Sequence, residues 1–259
     1  PGWAAQTPLQ RARVLFRFRD LLQQHGDELA RLITREHGKV LSDARAELQR
    51  GIEVVEFACG IPHLLKGEHS LNAGTGVDSY SLQQPVGVCV GITPFNFPAM
   101  VPLWMFPVAL ACGNTFVLKP SERDPSVGLR MAALLAEAGA PAGVFNVVNG
   151  DAATVEALID APEVQAVSFV GSTPVAEAVY RRASARGIRA QALGGAKNHI
   201  IAMPDAVLDQ SVPNIAESAF GNAGQRCLAG SVLTLVGEAR ERMLPRLLEH
   251  ADTIKMGFG

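Results

Sequence analysis

The chain has 259 residues, of which 48% are apolar and 19% are charged, and its formal net charge is −2. A chain of this length and composition can bury a substantial core, as one large domain or as two smaller ones. The charge offers no basic surface for nucleic acid and no acidic tail, so small molecules and other protein chains are the expected partners.

Amphipathic helices are predicted at the start of the chain. Between about Pro8 and Arg50, apolar residues recur at intervals of three and four, as at Leu15, Phe18 and Leu22. This spacing predicts two or more helices that each bury one face.

The stretch from Ser79 to Leu118 contains no charged residue. It is long enough to span a membrane, but its repeated prolines and the polar Asn96 and Asn114 argue against a span, so we predict a buried core and no membrane association. No secretory pattern appears at the start, which favours a cytoplasmic location, or the mitochondrial matrix in a eukaryote. Because the chain opens with Pro1 and not with Met, a removed targeting segment stays an open alternative.

After Pro85, short β-branched runs alternate with helical stretches. The predicted strands cover residues 86–92, 115–118, 145–148 and 166–170, and the predicted helices cover residues 100–111, 127–139, 154–160 and 175–185. This alternation predicts βαβ units and an α/β fold with a Rossmann-like parallel sheet, preceded by the N-terminal helices. A further strand at 191–193 leads to a boundary near Gly195. We therefore predict a first domain over residues 1–195 and the start of a second α/β domain over residues 196–259.

One cysteine stands in a setting that suits a nucleophile. Residues 220–230 read F-G-N-A-G-Q-R-C-L-A-G, so that Arg226 directly precedes Cys227 and small residues leave room for a substrate. A neighbouring cation favours a reactive thiolate, although a buried, inert cysteine is the alternative. The other cysteines are far apart in sequence and form no C-x-x-C pair, and the histidines lack metal-ligand spacing. We predict no metal site and no disulfide scaffold.

Four segments in fixed order carry a family resemblance. They are G-I-T-P-F-N-F-P at 91–98, N-T-F-V-L-K-P-S-E at 114–122, F-V-G-S-T at 169–173 and the cysteine segment at 220–230. Together they resemble the aldehyde dehydrogenase superfamily. More narrowly, residues 94–107 and G-A-K-N-H at 195–199 are similar to the CoA-acylating methylmalonate-semialdehyde (malonate-semialdehyde) dehydrogenases. Complete members are much longer, so the resemblance implies that this chain is a fragment, with a nearly whole coenzyme domain and a truncated catalytic domain.

The resemblance implies catalytic roles for two residues. Cys227 is the nucleophile that attacks the aldehyde carbon and forms a thioester. The side-chain amide of Asn96, with the backbone N–H of Cys227, stabilises the oxyanion of the tetrahedral adduct. A turn between Pro94 and Pro98, closed by the Asn96 side chain, is an alternative reading that is compatible with this role.

The coenzyme site lacks the usual fingerprint, since no G-x-G-x-x-G occurs; Gly74 and Gly76 come closest. By resemblance, Lys119 and Glu122 bind the adenosine ribose hydroxyls, and the carboxylate disfavours a 2′-phosphate, which predicts NAD and not NADP. An ordinary solvated ion pair is the alternative.

Ser172 lies between a predicted strand and a helix with Pro174 in its first turn, which is a strong helix-start signal. Free N–H groups at a helix N-terminus bind phosphate, so Ser172 and Gly171 are predicted pyrophosphate contacts, with a plain N-cap as the alternative. Gly150 is predicted to let the coenzyme approach closely. Thr93 and Phe95 complete the coenzyme contacts that the resemblance implies.

Ala192 occupies a position where hydrolytic aldehyde dehydrogenases carry a glutamate base before Leu-Gly-Gly. Without that base, water is a poor acceptor for the acyl group, and the thiol of CoA can take the place of water. Arg226 is the predicted ligand of a substrate carboxylate, and Arg50 is a second candidate whose alternative is a solvated helix arginine.

The predicted function is NAD-dependent oxidation of malonate or methylmalonate semialdehyde, with decarboxylation and transfer to CoA, in a homo-oligomer that is a tetramer in complete family members. One alternative is a hydrolytic aldehyde dehydrogenase that releases a free acid. Another is a non-catalytic nucleotide-binding module made of this chain alone.

Overall fold

The computed structural model describes residues 2–259, which divide into two compact units. The first unit runs up to His37 and from Leu41 to Gly194, and the second combines Gly38–Val40 with Gly195–Gly259. The helices of the first unit are α1 (Pro8–Gln24), α2 (Gly26–His37), α3 (Leu41–Cys59), α4 (Met100–Ala111), α5 (Ser126–Glu137), α6 (Ala152–Asp160) and α7 (Thr173–Ala185). Its strands are β1 (His69–Gly74), β2 (Val77–Tyr80), β3 (Val88–Ile92), β4 (Thr115–Lys119), β5 (Phe145–Val147), β6 (Val164–Val170) and β7 (Arg189–Leu193).

The N-terminal helices form because their sequences combine a start signal with one apolar face. Thr7 and Gln10 make a capping box at the start of α1, and Pro8 occupies its first turn. The side chains of Leu15, Phe18 and Leu22 are fully buried. Helices α1, α2 and α3 therefore pack as a layer against the core, as the spacing of apolar residues predicted.

A parallel sheet of five strands forms the centre of the first unit, in the order β5-β4-β3-β6-β7 within the described residues. Strand β3 is flanked by β4 on one side and β6 on the other, and every pairing in this sheet is parallel. The chain moves outward from β3 to β5 and then returns to the opposite side of β3 with β6. The point between β3 and β6 is therefore a topological switch point, where ligands bind in open α/β sheets.

The second unit contains β8 (Asn198–Ala202), α8 (Leu208–Phe220), β9 (Gly230–Leu235) and α9 (Ala239–Asp252). Strands β8 and β9 pair in parallel. Ala202, Val212, Ile215 and Met243 form its small apolar core.

The predicted α/β class, the parallel sheet and the N-terminal helices are confirmed. The hairpin of β1 and β2 was not predicted, and all its residues are exposed. Gly74 and Gly76 lie at the turn of this hairpin, which no helix follows directly, so they do not form a phosphate loop of the G-x-G type. None of the helices in residues 2–259 combines the length and the apolar composition that a membrane crossing requires.

Candidate active site

The carboxyl ends of β3, β4 and β6 carry most of the predicted coenzyme residues of the first unit. Thr93 follows β3 directly, Lys119 ends β4, and Gly171 follows β6. The backbone N–H of Thr93 donates to the carbonyl of Lys119 at 3.2 Å, which joins the loops after β3 and β4. Thr93 and Gly171 flank the switch point, so the structure brings these three residues to the edge where a nucleotide is expected.

Lys119 and Glu122 form an ion pair that is buried at one end only. The Lys119 ammonium lies 3.0 Å from a Glu122 carboxylate oxygen, and the two side chains are 6% and 61% exposed. A hydrogen bond from the backbone of Glu122 itself, followed by one from Lys119, lowers the pKa of the Glu122 carboxyl. Burial of the lysine distinguishes this contact from an ordinary solvated ion pair, while the ionised Glu122 carboxylate is exposed. The contact of the two side chains with ribose hydroxyls stays a prediction.

Helix α7 begins beside Ser172, as predicted. Ser172 is the N-cap residue with an extended backbone, and within the described residues its hydroxyl makes no capping hydrogen bond to the helix. The backbone N–H of Gly171 donates to the carbonyl of Leu193 at 3.1 Å, which fixes this turn to the end of β7. Ser172 therefore occupies the N-cap position without capping the helix through its hydroxyl, and its role as a pyrophosphate contact stays a prediction.

Gly150 has a backbone that favours glycine. Its φ of 152° is positive, and a Cβ at this position would overlap the Thr154 hydroxyl and lie 2.7 Å from the Thr154 Cβ. No side chain can be added here without strain, so the turn after β5 requires glycine whether or not a coenzyme lies against it.

Phe95 contacts two side chains that the sequence analysis did not single out, His37 and Arg123. Its ring stacks on the His37 imidazole, with ring centroids 5.9 Å apart, and the Arg123 guanidinium lies 4.7 Å from the Phe95 centroid. A cation over an aromatic face is a favourable contact. This contact links the loop that carries Asn96, which is partly buried, to the segment that carries Glu122.

Cys227 lies in the second unit and differs from the other cysteines. Of the four cysteines, all within residues 2–259, it alone is exposed. Burial raises the pKa of Cys59 and of Cys89 to about 11, and it also raises the pKa of Cys112. A thiol nucleophile needs access and a thiolate, so Cys227 is the one cysteine of the chain suited to that role. Cys227 is therefore not buried in this chain, and its role as the nucleophile stays a prediction.

The backbone around Cys227 is held by a residue that sequence reasoning missed as a site residue. The Asn198 side-chain amide donates to the carbonyl oxygens of Cys227, at 2.8 Å, and Ala229, at 3.0 Å. Asn222 and Ala223 precede the cysteine with positive φ angles of 55° and 52°. The segment G-A-K-N-H at 195–199, quoted for its resemblance, was the signal that could have found Asn198.

Arg226 forms an ion pair with Glu217, which lies in the same unit. Its guanidinium donates to a Glu217 carboxylate oxygen at 2.8 Å and to the Glu217 carbonyl at 3.3 Å. Gly221 makes room for this pair, since a Cβ there would lie 2.7 Å from the guanidinium carbon. Arg50 is exposed on α3 in the first unit. Their predicted role as carboxylate ligands stays a prediction.

Ala192 lies on β7, paired with Phe169 of β6. A methyl group cannot act as a base, so this position supplies none. Within residues 2–259, no group of three or more His, Cys, Asp or Glu side chains is arranged to hold a metal ion.

The chain matches known proteins over its whole length. The model of the Aldehyde dehydrogenase family matches residues 1–259. The malonate-semialdehyde dehydrogenase of Pseudomonas aeruginosa is 54% identical over 260 residues, which cover 100% of this chain and 52% of that protein. A solved methylmalonate-semialdehyde dehydrogenase of Oceanimonas doudoroffii has a TM-score of 0.96 and 60% identity, over 99% of this chain and 53% of its own. A Sinorhizobium meliloti protein described as methylmalonate-semialdehyde dehydrogenase, solved with NAD, has a TM-score of 0.96 and 53% identity, over 99% of this chain and 52% of its own.

The chain belongs to the aldehyde dehydrogenase family. It spans about half the length of the relatives it matches. Those relatives are of the malonate-semialdehyde and methylmalonate-semialdehyde dehydrogenase type, which confirms the narrower resemblance.

Proposed function

We propose that the protein oxidises malonate or methylmalonate semialdehyde with NAD and passes the acyl group to CoA. The observation that carries this proposal is the exposed thiol of Cys227, in a chain 54% identical to a malonate-semialdehyde dehydrogenase and without a base at Ala192. In this proposal residues 1–195 form the coenzyme domain, and residues 196–259 belong to the catalytic domain.

The coenzyme edge fits NAD by its chemistry. The α7 N-terminus beside Ser172 offers backbone N–H groups for a pyrophosphate, with Gly171 in the turn before it. Lys119 and Glu122 offer a donor and an acceptor for ribose hydroxyls, and the Glu122 carboxylate opposes a 2′-phosphate. Thr93, Phe95 and Gly150 complete this proposed surface.

Cys227 starts the proposed reaction by attack of its sulfur on the aldehyde carbon, which turns the carbonyl oxygen into an oxyanion. The Asn96 amide and the Cys227 backbone N–H donate to that oxygen without protonating it. NAD, when bound, would supply the acceptor for the hydride of the aldehyde carbon, and Cys227 is left holding a thioester. Loss of carbon dioxide from the β-carboxylate and uptake of a proton leave an acetyl or propionyl group on the sulfur.

CoA completes the cycle as the acyl acceptor. Its thiol loses a proton and attacks the thioester carbon, which releases acetyl-CoA or propionyl-CoA and the Cys227 thiolate. Ala192 supports this order of events, because it supplies no base to activate water. Arg226 and Arg50 are the proposed ligands of the substrate carboxylate, which a charge-assisted hydrogen bond would orient.

The proposal is tested with a longer protein that contains these 259 residues and is as long as the relatives. NADH formation from malonate semialdehyde is followed with and without CoA. We expect sustained turnover with CoA and a single round of NADH formation without it. Equal turnover to free acid without any thiol acceptor would support the hydrolytic alternative. In that protein, Arg226→Leu should raise the KM for the semialdehyde while an uncharged aldehyde is little affected.

Experiments on the 259-residue chain itself test the other alternative, a non-catalytic nucleotide-binding module. Calorimetry with NAD, paired with an activity assay on the same sample, measures binding and turnover separately. Binding without turnover would identify this chain by itself as a nucleotide-binding module.

We also propose that the protein forms a homo-oligomer, a tetramer as in complete family members, in the cytoplasm or in the mitochondrial matrix of a eukaryote. The hairpin of β1 and β2 supports assembly, because Leu71, Val77 and Tyr80 are 70%, 57% and 72% exposed. Exposed apolar side chains on a two-stranded hairpin are typical of an element that other parts of a protein or another chain cover.

A further inference from the structure

The N-cap residue of helix α4 has no side chain that could accept a hydrogen bond from the first turn. Its N-cap residue is Ala99, and within the described residues no side chain of the cap position bonds the first turn. The first N–H groups of a helix need acceptors when they are buried. Ala99 and Met100 are both buried, at 0% and 3% exposure.

The missing acceptor comes from another helix. One carboxylate oxygen of Glu47, on α3, accepts from the backbone N–H of Ala99 at 2.8 Å and of Met100 at 3.2 Å. Glu47 is itself only 2% exposed. A buried carboxylate that accepts two backbone N–H groups at a helix N-terminus fixes that backbone firmly, because hydrogen bonds to a charged group are strong.

A second contact joins the same two helices one turn further on. A Cβ on Gly51 would lie 2.5 Å from the Leu103 side chain, so α3 and α4 are in close contact there. Arg50 lies between Glu47 and Gly51 on α3 and is exposed. Asn96 lies three residues before Ala99, in the loop that leads into α4. The two contacts therefore fix the backbone that carries Arg50 against the backbone that carries Asn96.

We propose that Glu47 is a positioning residue, which sets the preference of the enzyme for carboxylated aldehydes by fixing Arg50 relative to Asn96. This inference rests on the proposed function. Loss of the carboxylate removes the acceptor shared by Ala99 and Met100 and loosens α3 from the start of α4. Small displacements of positioning groups reduce rates strongly, and here the reduction falls mainly on the substrate that needs both residues.

Glu36 provides a matched control. Its carboxylate, on α2, accepts from the Ser126 backbone N–H at 3.1 Å and from the Ser126 hydroxyl at the start of α5. It holds a different helix in the same way, and α5 carries neither Arg50 nor Asn96. A general loss of packing would affect both variants alike, whereas the proposed role is specific to Glu47.

The test uses a protein of the relatives' length that contains this chain and measures kcat/KM for malonate semialdehyde and for propanal. We expect Glu47→Ala to lower the ratio of these two values by about tenfold. Glu47→Gln keeps an acceptor oxygen and should stay within about threefold of the wild type, and Glu36→Ala should keep the wild-type ratio. The double variant Glu47→Ala, Arg50→Ala should have the same ratio as the single variant Arg50→Ala, because Glu47 acts through Arg50.

If Glu47→Ala does not yield folded protein, Glu47→Asp carries the same test, because it keeps the charge and shortens the side chain by one methylene. A wild-type preference for the semialdehyde that survives the Ala or Asp change overturns this inference alone. A fall of equal size in Glu36→Ala overturns it as well. A wild type that oxidises malonate semialdehyde no better than propanal overturns the proposed function, and the inference with it.

Discussion

The sheet edge of the first unit and the cysteine loop of the second unit hold their functional residues in different ways. At the sheet edge, Thr93 and Lys119 are 5% exposed and joined by a backbone hydrogen bond. In the loop, Cys227 is exposed, and its carbonyl is held by the Asn198 amide. The proposed coenzyme residues lie at the ends of buried strands, whereas the position of the proposed nucleophile depends on a few local hydrogen bonds.

This difference suits the two tasks. A binding surface for a coenzyme gains from rigid strand ends, since ordering a loop on binding costs conformational entropy. A nucleophile that meets an aldehyde and then CoA must be reachable by both. Changes at the sheet edge should therefore act on stability, and changes in the loop should act on reactivity.

The largest expected contrast is in thiol labelling of the 259-residue chain. With a pKa of about 11, the Cys59 and Cys89 thiols are ionised to only about one part in a thousand at pH 8. They should react at least about a hundredfold more slowly than the exposed Cys227, and their labelling should speed up as the pH rises towards about 11. Peptide mass spectrometry after timed alkylation measures each site, and the Cys227→Ser chain should lack the fast phase. Equal rates at Cys59 and Cys227 would contradict the contrast.

Gly150→Ala should destabilise the first unit by roughly 2–3 kcal/mol, because it combines a positive φ with overlap against Thr154. Gly143→Ala is the matched control, since Gly143 has a φ of 83° and nothing within 4 Å of a Cβ. It should cost about 1 kcal/mol. Urea unfolding followed by circular dichroism measures both. Thr154→Ala should recover part of the loss in Gly150→Ala, and equal losses at Gly150 and Gly143 would show that the overlap does not matter.

Asn198→Asp should slow the labelling of Cys227 by about tenfold, and it should slow the turnover of the longer protein by about as much. The reason is that a carboxylate would then face the two carbonyl oxygens to which the amide now donates. Asn214→Asp, at an exposed position on α8, is the control and should have little effect. An unchanged rate in Asn198→Asp would mean that this amide does not position the cysteine.

Ala223→Gly should have the smallest effect. The φ of 52° at Ala223 costs an alanine about 1 kcal/mol, and glycine removes that cost but gains freedom in the unfolded chain. The free energy of unfolding should change by less than about 0.5 kcal/mol, while Ala223→Val should be clearly destabilising. Denaturant unfolding of the chain measures both, and a large loss in Ala223→Gly would show that the alanine methyl group packs against a partner.

The features that could be predicted from the sequence are the helices and strands that follow from the local spacing of apolar residues and from start signals. Helix α4 begins and ends where the spacing placed it, at Met100–Ala111, and the four predicted strands after Pro85 pair in one sheet. The start of α7 beside Ser172 followed from Pro174 in the first turn. The hairpin of β1 and β2 escaped prediction because both faces are exposed, so no alternation of apolar and polar residues marks it.

The missed residues act over long distances in sequence. The Glu47 carboxylate accepts from the backbone N–H of Ala99, 52 residues later along the chain, and the Asn198 amide donates to a carbonyl 29 residues away. Nothing local distinguishes Glu47 from a solvated helix glutamate. Only the packing of α3 on α4 shows that its carboxylate is buried and what it binds.

The most direct test of the account is whether Cys227 carries the acyl group. A protein of the relatives' length that contains this chain is mixed with malonate semialdehyde and NAD in the absence of CoA, quenched, digested and analysed by mass spectrometry. The account predicts an acetyl group on the peptide that contains Cys227, which disappears as acetyl-CoA forms once CoA is added. No adduct at Cys227, with NADH still formed at full rate, would contradict it.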